Sequence, residues 1–174
     1  MSALLRVHRI PFAVIGAAAM AVHGVIRSTL DIDLFTLEAR CLASELWTPL
    51  DAPGISTQVR RGDADDPLAG VVRIRAMTGP SVDLVVGRAA WQHHVLERAR
   101  ETPIEGVSVP VASRVDVILL KLYAGGPQDA WDVEQLLASA DRPVVTREVE
   151  ADLAALPPES RRLWARIHEL GGRS

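Results

Sequence analysis

Residues Val14–Phe35 read VIGAAAMAVHGVIRSTLDIDLF, and this stretch decides the fold. The apolar segment Phe12–Ile15 predicts a strand, and the glycine at position 16 predicts that the strand breaks there into an alanine-rich helix. The helix is expected to end at Gly24, after which a second strand carries Asp-Ile-Asp at 31–33. The stretch therefore predicts a strand–helix–strand unit with two acidic residues on its last strand.

The two aspartates of this strand are expected to act together. Successive side chains of a strand point to opposite faces, so Asp31 and Asp33 share one face while Ile32 enters the core. Two close carboxylates repel each other unless a cation lies between them, and hard divalent ions prefer such oxygen ligands. A third acid, Asp83, lies among apolar residues in the predicted strand 81–86. Three strand acids of this kind can hold two metal ions.

The segment Val71–Ala76 alternates apolar residues with Arg73 and Arg75. If its apolar side chains join the core face of the strand that carries Asp83, both arginines share the face of Asp83 and line a cleft. The alternative is an ordinary polar face exposed to solvent. The sequence does not choose between the two interpretations.

Gly16 and Ala17 precede Asp31-Ile-Asp33 with thirteen residues between them, and Asp83 follows at a distance. This pattern resembles the Gly-Ser or Gly-Gly, Asp-x-Asp and third-Asp signature of the DNA polymerase beta nucleotidyltransferase superfamily. Ala17 stands where the family usually has a serine or a second glycine. Because a methyl group neither donates nor accepts a hydrogen bond, phosphate binding is left to backbone N–H groups at the start of the helix.

The closer resemblance is to the minimal and AbiEii-like toxin branch of that superfamily. Members of this branch often have a helix that ends near His-Gly and then Arg-x-Thr-x-Asp-Ile-Asp, which this chain matches at His23-Gly24 and at 27–33. The segment Leu119–Leu137 is similar to the lysine-bearing helix of the branch and its following Lys/Gln-Asp-x-x-Asp helix. The resemblance therefore extends to Leu137.

The resemblance implies an α/β nucleotidyltransferase fold, with a mixed β-sheet flanked by helices and a helical C-terminal part. It implies a reaction that moves a nucleoside monophosphate from an NTP to an acceptor hydroxyl and releases pyrophosphate, with Mg²⁺ or Mn²⁺ as the cofactor. The catalytic residues that it implies are Asp31, Asp33, Asp83 and Lys121, and the three aspartates are also the metal ligands. The nucleotide-binding residues that it implies are Gly16, Ala17, Arg27, Ser28, Thr29, Lys121 and Asp129.

Two of these residues also have plainer interpretations. Lys121 lies in the apolar run 118–122, where a lysine either extends its head group to solvent or finds a partner, and the resemblance favours phosphate binding. Asp129 falls in the first turn of the helix predicted to begin at Pro127, where an acidic residue complements the helix dipole without any catalytic role. The resemblance implies that Asp129 also approaches Lys121 and orients its ammonium group.

The resemblance leaves the acceptor open among a tRNA, a protein hydroxyl and a small molecule. It implies a toxin of a toxin–antitoxin pair, with a cognate antitoxin protein as partner, whereas no membrane partner and no reading of DNA sequence are expected. An alternative from a different class is a catalytically degenerate module that binds a nucleotide or a partner protein. Ala17 favours that alternative, while the three acids and Lys121 disfavour it.

The chain has 174 residues, of which 48% are hydrophobic, so it is long enough to bury a substantial core. We expect a nucleotidyltransferase-like domain over 1–142, including the helices of Lys121 and Asp129, and a helical extension over 143–174. The formal net charge of -3 provides no general attraction to nucleic acid. The single cysteine, Cys41, cannot form an internal disulfide, and with no leader or long apolar span a cytoplasmic location is expected.

Amphipathic patterns predict two further helices, at Glu38–Leu50 and at Arg88–Arg100. His93 and His94 lie in the second of them. Adjacent side chains point in different directions on a helix, so no joint metal site is expected from this pair.

Overall fold

The computed structural model describes residues 1–27 and 31–171 of the chain. It divides into two compact units, each described here by itself. Unit 1 comprises Met1–Ala18 and Ser28–Ala112, and unit 2 comprises Ala19–Arg27 and Ser113–Ser174. The domain boundary expected after residue 142 stays a prediction.

Unit 1 is built on one seven-stranded sheet. Its strands are β1 (Ala13–Ile15), β2 (Asp31–Thr36), β3 (Ile55–Arg61), β4 (Gly70–Ala76), β5 (Ser81–Val86), β6 (Arg100–Ile104) and β7 (Val107–Val111). They lie in the order β3-β4-β5-β2-β1-β7-β6. The pairs β2–β5 and β1–β7 are parallel and the other pairs are antiparallel, so the sheet is mixed, as predicted.

One face of the central strands carries the apolar core of unit 1. The paired residues Leu34 and Leu84 are buried there, together with Val72 and Val86. The alternation of these strands sends the intervening side chains to the opposite face. Of the two interpretations that the sequence leaves open, the structure therefore supports the one in which the apolar residues of β4 share the core face of β5.

Helices and short 3₁₀ turns connect the strands along the chain. The helices of this part are α1 (Ser2–Val7), α2 (Gly16–Val22) and α3 (His93–Glu97). The prediction of one continuous helix over Glu38–Leu50 is wrong. Two 3₁₀ helices, Ala39–Leu42 and Ser44–Leu50, occupy it instead, because Ala43 between them is extended and Pro49 lies within the second.

The helix predicted over Arg88–Arg100 is also shorter than expected. A 3₁₀ turn at Ala90–Gln92 leads into α3, and Arg100 already begins β6. The antiparallel β6–β7 pair then carries the chain to the end of unit 1.

Unit 2 is helical, with α4 (Arg114–Ala124), α5 (Pro127–Ala138), α6 (Arg142–Leu153) and α7 (Pro158–Gly171). Ser113 caps α4 by accepting a hydrogen bond from the backbone N–H of Asp116. Helix α4 contacts each of the other three helices. Its apolar side, which includes Ile118, Leu119 and Leu122, is fully buried and forms the centre of this unit.

None of the helices in the described part of the chain is both long enough and apolar enough to span a membrane. The predicted fold class is confirmed: the chain combines a mixed β-sheet with helices and ends in a helical part.

Candidate active site

The three predicted acids of unit 1 lie on two neighbouring parallel strands. The register of β2 and β5 pairs Asp33 with Asp83 and Asp31 with Ser81. Because paired residues of adjacent strands point to the same face, all three carboxylates project from one side of the sheet. The sequence therefore predicted correctly that they share a face. Their roles in catalysis and metal binding stay predictions.

Asp83 is held by an arginine of the next strand. Arg73 of β4 is its partner in the β4–β5 register, and the two side chains form a bidentate ion pair. Arg73 Nε donates to Asp83 Oδ1 at 2.7 Å, and Arg73 Nη2 donates to Asp83 Oδ2. Of the two interpretations of Arg73 left open by the sequence, the structure supports the one that places it beside Asp83.

Asp33 packs against the backbone of Gly16. Gly16 directly follows Ile15, which is the residue of β1 that pairs with Asp33. A Cβ atom built on Gly16 would lie 2.1 Å from Asp33 Oδ2, and its φ of +61° lies in the left-handed region. Both features require glycine at this position. The side chain of Ala17, the next residue, is buried.

Asp31 is the most exposed of the three acids. Its Oδ1 accepts a hydrogen bond from the hydroxyl of Ser81, its partner residue on β5. Ser81 was not among the predicted site residues. A serine at the first position of a strand carries no signal of this role until the β2–β5 register is known.

Lys121 in unit 2 is bound by two aspartates of α5. Its Nζ lies 2.9 Å from Asp129 Oδ1 and 2.7 Å from Asp132 Oδ2. The ammonium group is therefore partnered, and the solvent-extended interpretation of Lys121 is wrong. Asp129 also accepts from the backbone N–H of Gly126 at 2.8 Å, so it caps α5 and orients Lys121 at the same time.

Asp132 is the buried centre of this charge cluster. Its side chain is fully buried, and Oδ2 accepts from both Lys121 and Arg27, the latter at 2.7 Å. Arg27 also donates to Gln128 at 2.7 Å. Nothing local in the sequence predicts this contact, because Arg27 lies 105 residues away from Asp132 along the chain.

Burial and hydrogen bonding act in opposite directions on the pKa of Lys121. Burial lowers it and is the largest single influence, but the bonds to Asp132 and Asp129 and their charges together raise it above its usual value. Lys121 is therefore a cation at every physiological pH. It is also the only lysine in the sequence.

Two of the predicted nucleotide-binding residues, Ser28 and Thr29, lie outside the described residues. The others fall into two groups by unit. Gly16 and Ala17 lie with the carboxylates of unit 1, and Arg27, Lys121 and Asp129 lie together in the charge cluster of unit 2.

The three acids fit a divalent metal only in part. Asp31 and Asp33 present carboxylates of the kind that Mg²⁺ and Mn²⁺ bind. Both oxygens of Asp83, in contrast, are directed at Arg73. Among the described side chains, the three acids do not form a group whose ligand atoms all lie within 4.8 Å of one another, whereas His93, His94 and Glu97 do.

The expectation that His93 and His94 diverge is wrong. Their ring centroids are 4.0 Å apart, and Nδ1 of His93 lies 2.5 Å from the carbonyl oxygen of Ala90. Both histidines lie in the first turn of α3, where the backbone of His93 has ordinary helical angles. His93 and Glu97 are exposed, and exposed groups of this kind are common without a metal.

No family model matches the sequence, and no curated protein matches it. Several solved structures are similar to it in fold. The antibiotic-resistance factor ANT(2'')-Ia matches with a TM-score of 0.57 and 16% identity, over 99% of this chain and 93% of that one. A nucleotidyltransferase-like protein of Paracoccidioides brasiliensis matches with a TM-score of 0.51 and 20% identity, over 96% and 88%.

A third similar structure is the lincosamide antibiotic adenylyltransferase LnuA, described with lincomycin bound. It has a TM-score of 0.50 and 13% identity, over 79% of this chain and 92% of that one. At identities this low, the likeness establishes the fold alone. That fold is the one seen in nucleotidyltransferases, and the AbiEii-like branch stays a prediction.

Proposed function

We propose that this chain is a metal-dependent nucleotidyltransferase that moves a nucleoside monophosphate from an NTP to an acceptor hydroxyl. The observation that carries the proposal is the β2–β5 register, which sets Asp33 beside Asp83 with Asp31 on the same face. The close packing of Gly16 on Asp33 supports the proposal. Any side chain at position 16 would collide with the Asp33 carboxylate, so the turn needs glycine for this contact as well as for its backbone conformation.

In the proposed reaction the acceptor oxygen attacks the α-phosphorus of the NTP. The bond from that phosphorus to the bridging oxygen breaks, pyrophosphate leaves with the bonding electron pair, and the hydroxyl proton of the acceptor passes to solvent water. Asp31 and Asp33 would hold the divalent ion, which would neutralise phosphate charge and make the acceptor oxygen a better nucleophile. Asp33 is kept in place for this role by β2 and by the backbone of Gly16.

We propose that Lys121 binds the triphosphate. A lysine held by two carboxylates keeps its charge and its direction, and it has three N–H donors, one for each of Asp129 and Asp132 and one for a phosphate oxygen. The approach of Asp129 thus serves the role that the sequence resemblance implies for it.

The first acceptor to test is a small molecule with hydroxyl groups. One similar structure is described as an antibiotic-resistance factor and another as a lincosamide antibiotic adenylyltransferase. A net charge of -3, in addition, does not attract nucleic acid in general. A tRNA or protein acceptor, and with it a toxin role and an antitoxin partner, is the next class. A degenerate binding module is the alternative to any enzyme.

The decisive experiment measures label transfer from each of the four α-³²P NTPs, with Mg²⁺ and with Mn²⁺. The acceptors are an aminoglycoside and lincosamide panel, total tRNA and a cell extract. Wild type is compared with Asp33→Asn and with Asp65→Asn, a matched change in the exposed loop 62–67. We expect label in one acceptor class, a loss of at least about a hundredfold in Asp33→Asn, and no change in Asp65→Asn.

Nucleotide binding is measured separately by isothermal titration calorimetry of each NTP into wild type and into Lys121→Met. We expect Lys121→Met to weaken NTP binding by at least about tenfold, as the loss of a charge-assisted phosphate contact would. NTP binding without label transfer would favour the degenerate module. The absence of both NTP binding and label transfer would exclude a nucleotide site.

A further inference from the structure

Arg73 binds both of the carboxylate oxygens through which Asp83 would hold a metal ion. It lies on β4, its Cα partner is Asp83, and its side chain is about one third exposed while that of Asp83 is 11% exposed. The guanidinium bonds both carboxylate oxygens in the fork geometry that arginine and carboxylate favour. A metal ion at Asp83 would therefore have to displace an existing ion pair.

The other two acids also act on this arginine. The pKa of Arg73 is raised first by its hydrogen bond to Asp83 and by the charge of Asp83, and to a smaller extent by the charges of Asp31 and Asp33. The guanidinium thus lies in the field of all three carboxylates. Arg73 therefore relieves part of the repulsion among the carboxylates, a repulsion that, from the sequence alone, only metal ions are expected to relieve.

The charges of this cluster limit how many divalent ions it accepts when no nucleotide is bound. Three ionised carboxylates carry three negative charges, and Arg73 carries one positive charge. One divalent ion brings the sum of these charges to zero. Two divalent ions in addition to Arg73 would leave a double positive charge in a site only partly open to solvent, which is unfavourable.

We propose that Arg73 is a resident cation that replaces one metal ion, so that the site binds a single divalent ion through Asp31 and Asp33. Asp83 is then a positioning residue that holds Arg73, and not a metal ligand. This inference rests on the proposed function, whose metal-binding acids it specifies. Arg73 then supplies a permanent positive charge next to the reacting groups.

The test counts bound Mn²⁺ by the electron paramagnetic resonance signal of the free ion, with no nucleotide present. We expect one ion per chain in wild type and two in Arg73→Gln, because Asp83 becomes available. The double variant Arg73→Gln/Asp83→Asn should return to one ion, with a dissociation constant within about threefold of wild type. Arg75→Gln removes the same charge from the same face of β4 and should still bind one ion.

Two results would overturn the proposal while leaving the proposed function intact. One is two bound ions in wild type, and the other is a single ion in Arg73→Gln that is bound no more tightly than in wild type. If Arg73→Gln does not fold, the charge-neutral double variant decides the question: a loss of affinity above about tenfold would make Asp83 a ligand. If no variant and no wild type binds Mn²⁺, both the inference and the metal dependence of the proposed function are wrong.

Discussion

At the scale of single residues, Gly16 carries two separate constraints. Its backbone is left-handed, and its missing side chain leaves room for the Asp33 carboxylate, whose Oδ2 would lie 2.1 Å from a Cβ atom. Gly106, between β6 and β7, shares only the first constraint, because its φ is +82° and no atom lies within 4 Å of a Cβ built there. A comparison of substitutions at the two glycines therefore distinguishes the cost of backbone strain from the cost of a clash with Asp33.

We expect Gly106→Ala to lower the free energy of unfolding by about 1–2 kcal/mol, the usual cost of a left-handed alanine. Gly16→Ala should cost more, and it should also weaken Mn²⁺ binding by at least about tenfold, since Asp33 must move. Denaturant unfolding and a Mn²⁺ titration of both variants provide the measurements. Equal effects of the two substitutions would show that Asp33 adjusts freely and that Gly16 serves only the turn.

The acids and the lysine could be predicted from the sequence because their signals are local. The alternation of β2 sets Asp31 and Asp33 on one face, and the apolar run around Lys121 makes a free surface position improbable. The partners of these residues are not local. Arg73 meets Asp83 only through the β4–β5 register, and Arg27 reaches Asp132 across 105 residues, which no periodic pattern encodes.

At the scale of elements, the junction of α4 and α5 is defined by two glycines with different roles. Gly125 ends α4 in the left-handed conformation, with φ of +64°, and its N–H donates to the carbonyl of Lys121. Gly126 is extended and begins α5, where its N–H is bound by Asp129. Each glycine therefore bonds to one member of the Lys121–Asp129 ion pair, Gly125 to the Lys121 carbonyl and Gly126 to the Asp129 carboxylate.

Gly125→Ala is expected to destabilise the chain by about 1 kcal/mol. There is space for the methyl group, since the nearest atom to its Cβ is 3.8 Å away, so only the left-handed conformation is penalised. Gly125→Asn should cost less, because asparagine tolerates this conformation better. Urea unfolding of the three proteins tests the order Gly, Asn, Ala, and an alanine variant as stable as wild type would contradict it.

A strand with a regular pattern is predicted close to its observed bounds, as β5 illustrates, whose expected range 81–86 is the observed one. The segment Glu38–Leu50 does not form the expected helix, although its apolar spacing is helical. There the fixed geometry of Pro49 and the extended backbone of Ala43 interrupt the helix. Strand β6 has no such signal, because the residues of Arg100–Ile104 do not alternate between polar and apolar.

At the scale of the whole molecule, two buried groups make stability depend on alkaline pH. Burial, with a smaller effect of Glu38, raises the pKa of the Cys41 thiol to about 11 from an ordinary 9.0. The pKa of Lys121 is also raised from its ordinary 10.5. In both cases the folded chain retains a proton that the unfolded chain releases earlier, so stability falls as pH rises.

We expect the free energy of unfolding to be steady up to about pH 9 and then to decline, first through Cys41 and above about pH 10.5 also through Lys121. The Cys41 contribution is on the order of 2 kcal/mol when complete. At pH 8, Cys41→Ala should have a lower free energy of unfolding than wild type. Between pH 9 and 10.5, however, its free energy of unfolding should change little, because the titrating thiol is absent. Chemical unfolding at a series of pH values tests this, and an unchanged slope in Cys41→Ala would assign the decline to other groups.

The strand order leaves β3 and β6 at the two borders of the sheet, each with one row of backbone groups that no neighbouring strand of the sheet bonds. Such borders can recruit a strand from another molecule. Here β3 ends in Arg60-Arg61, and β6 contains Arg100, Glu101 and Pro103, of which the proline has no N–H to offer. Charge at both borders and the proline of β6 oppose the growth of intermolecular sheets, so the two borders of the sheet that carries the carboxylates are poorly suited to fibril formation.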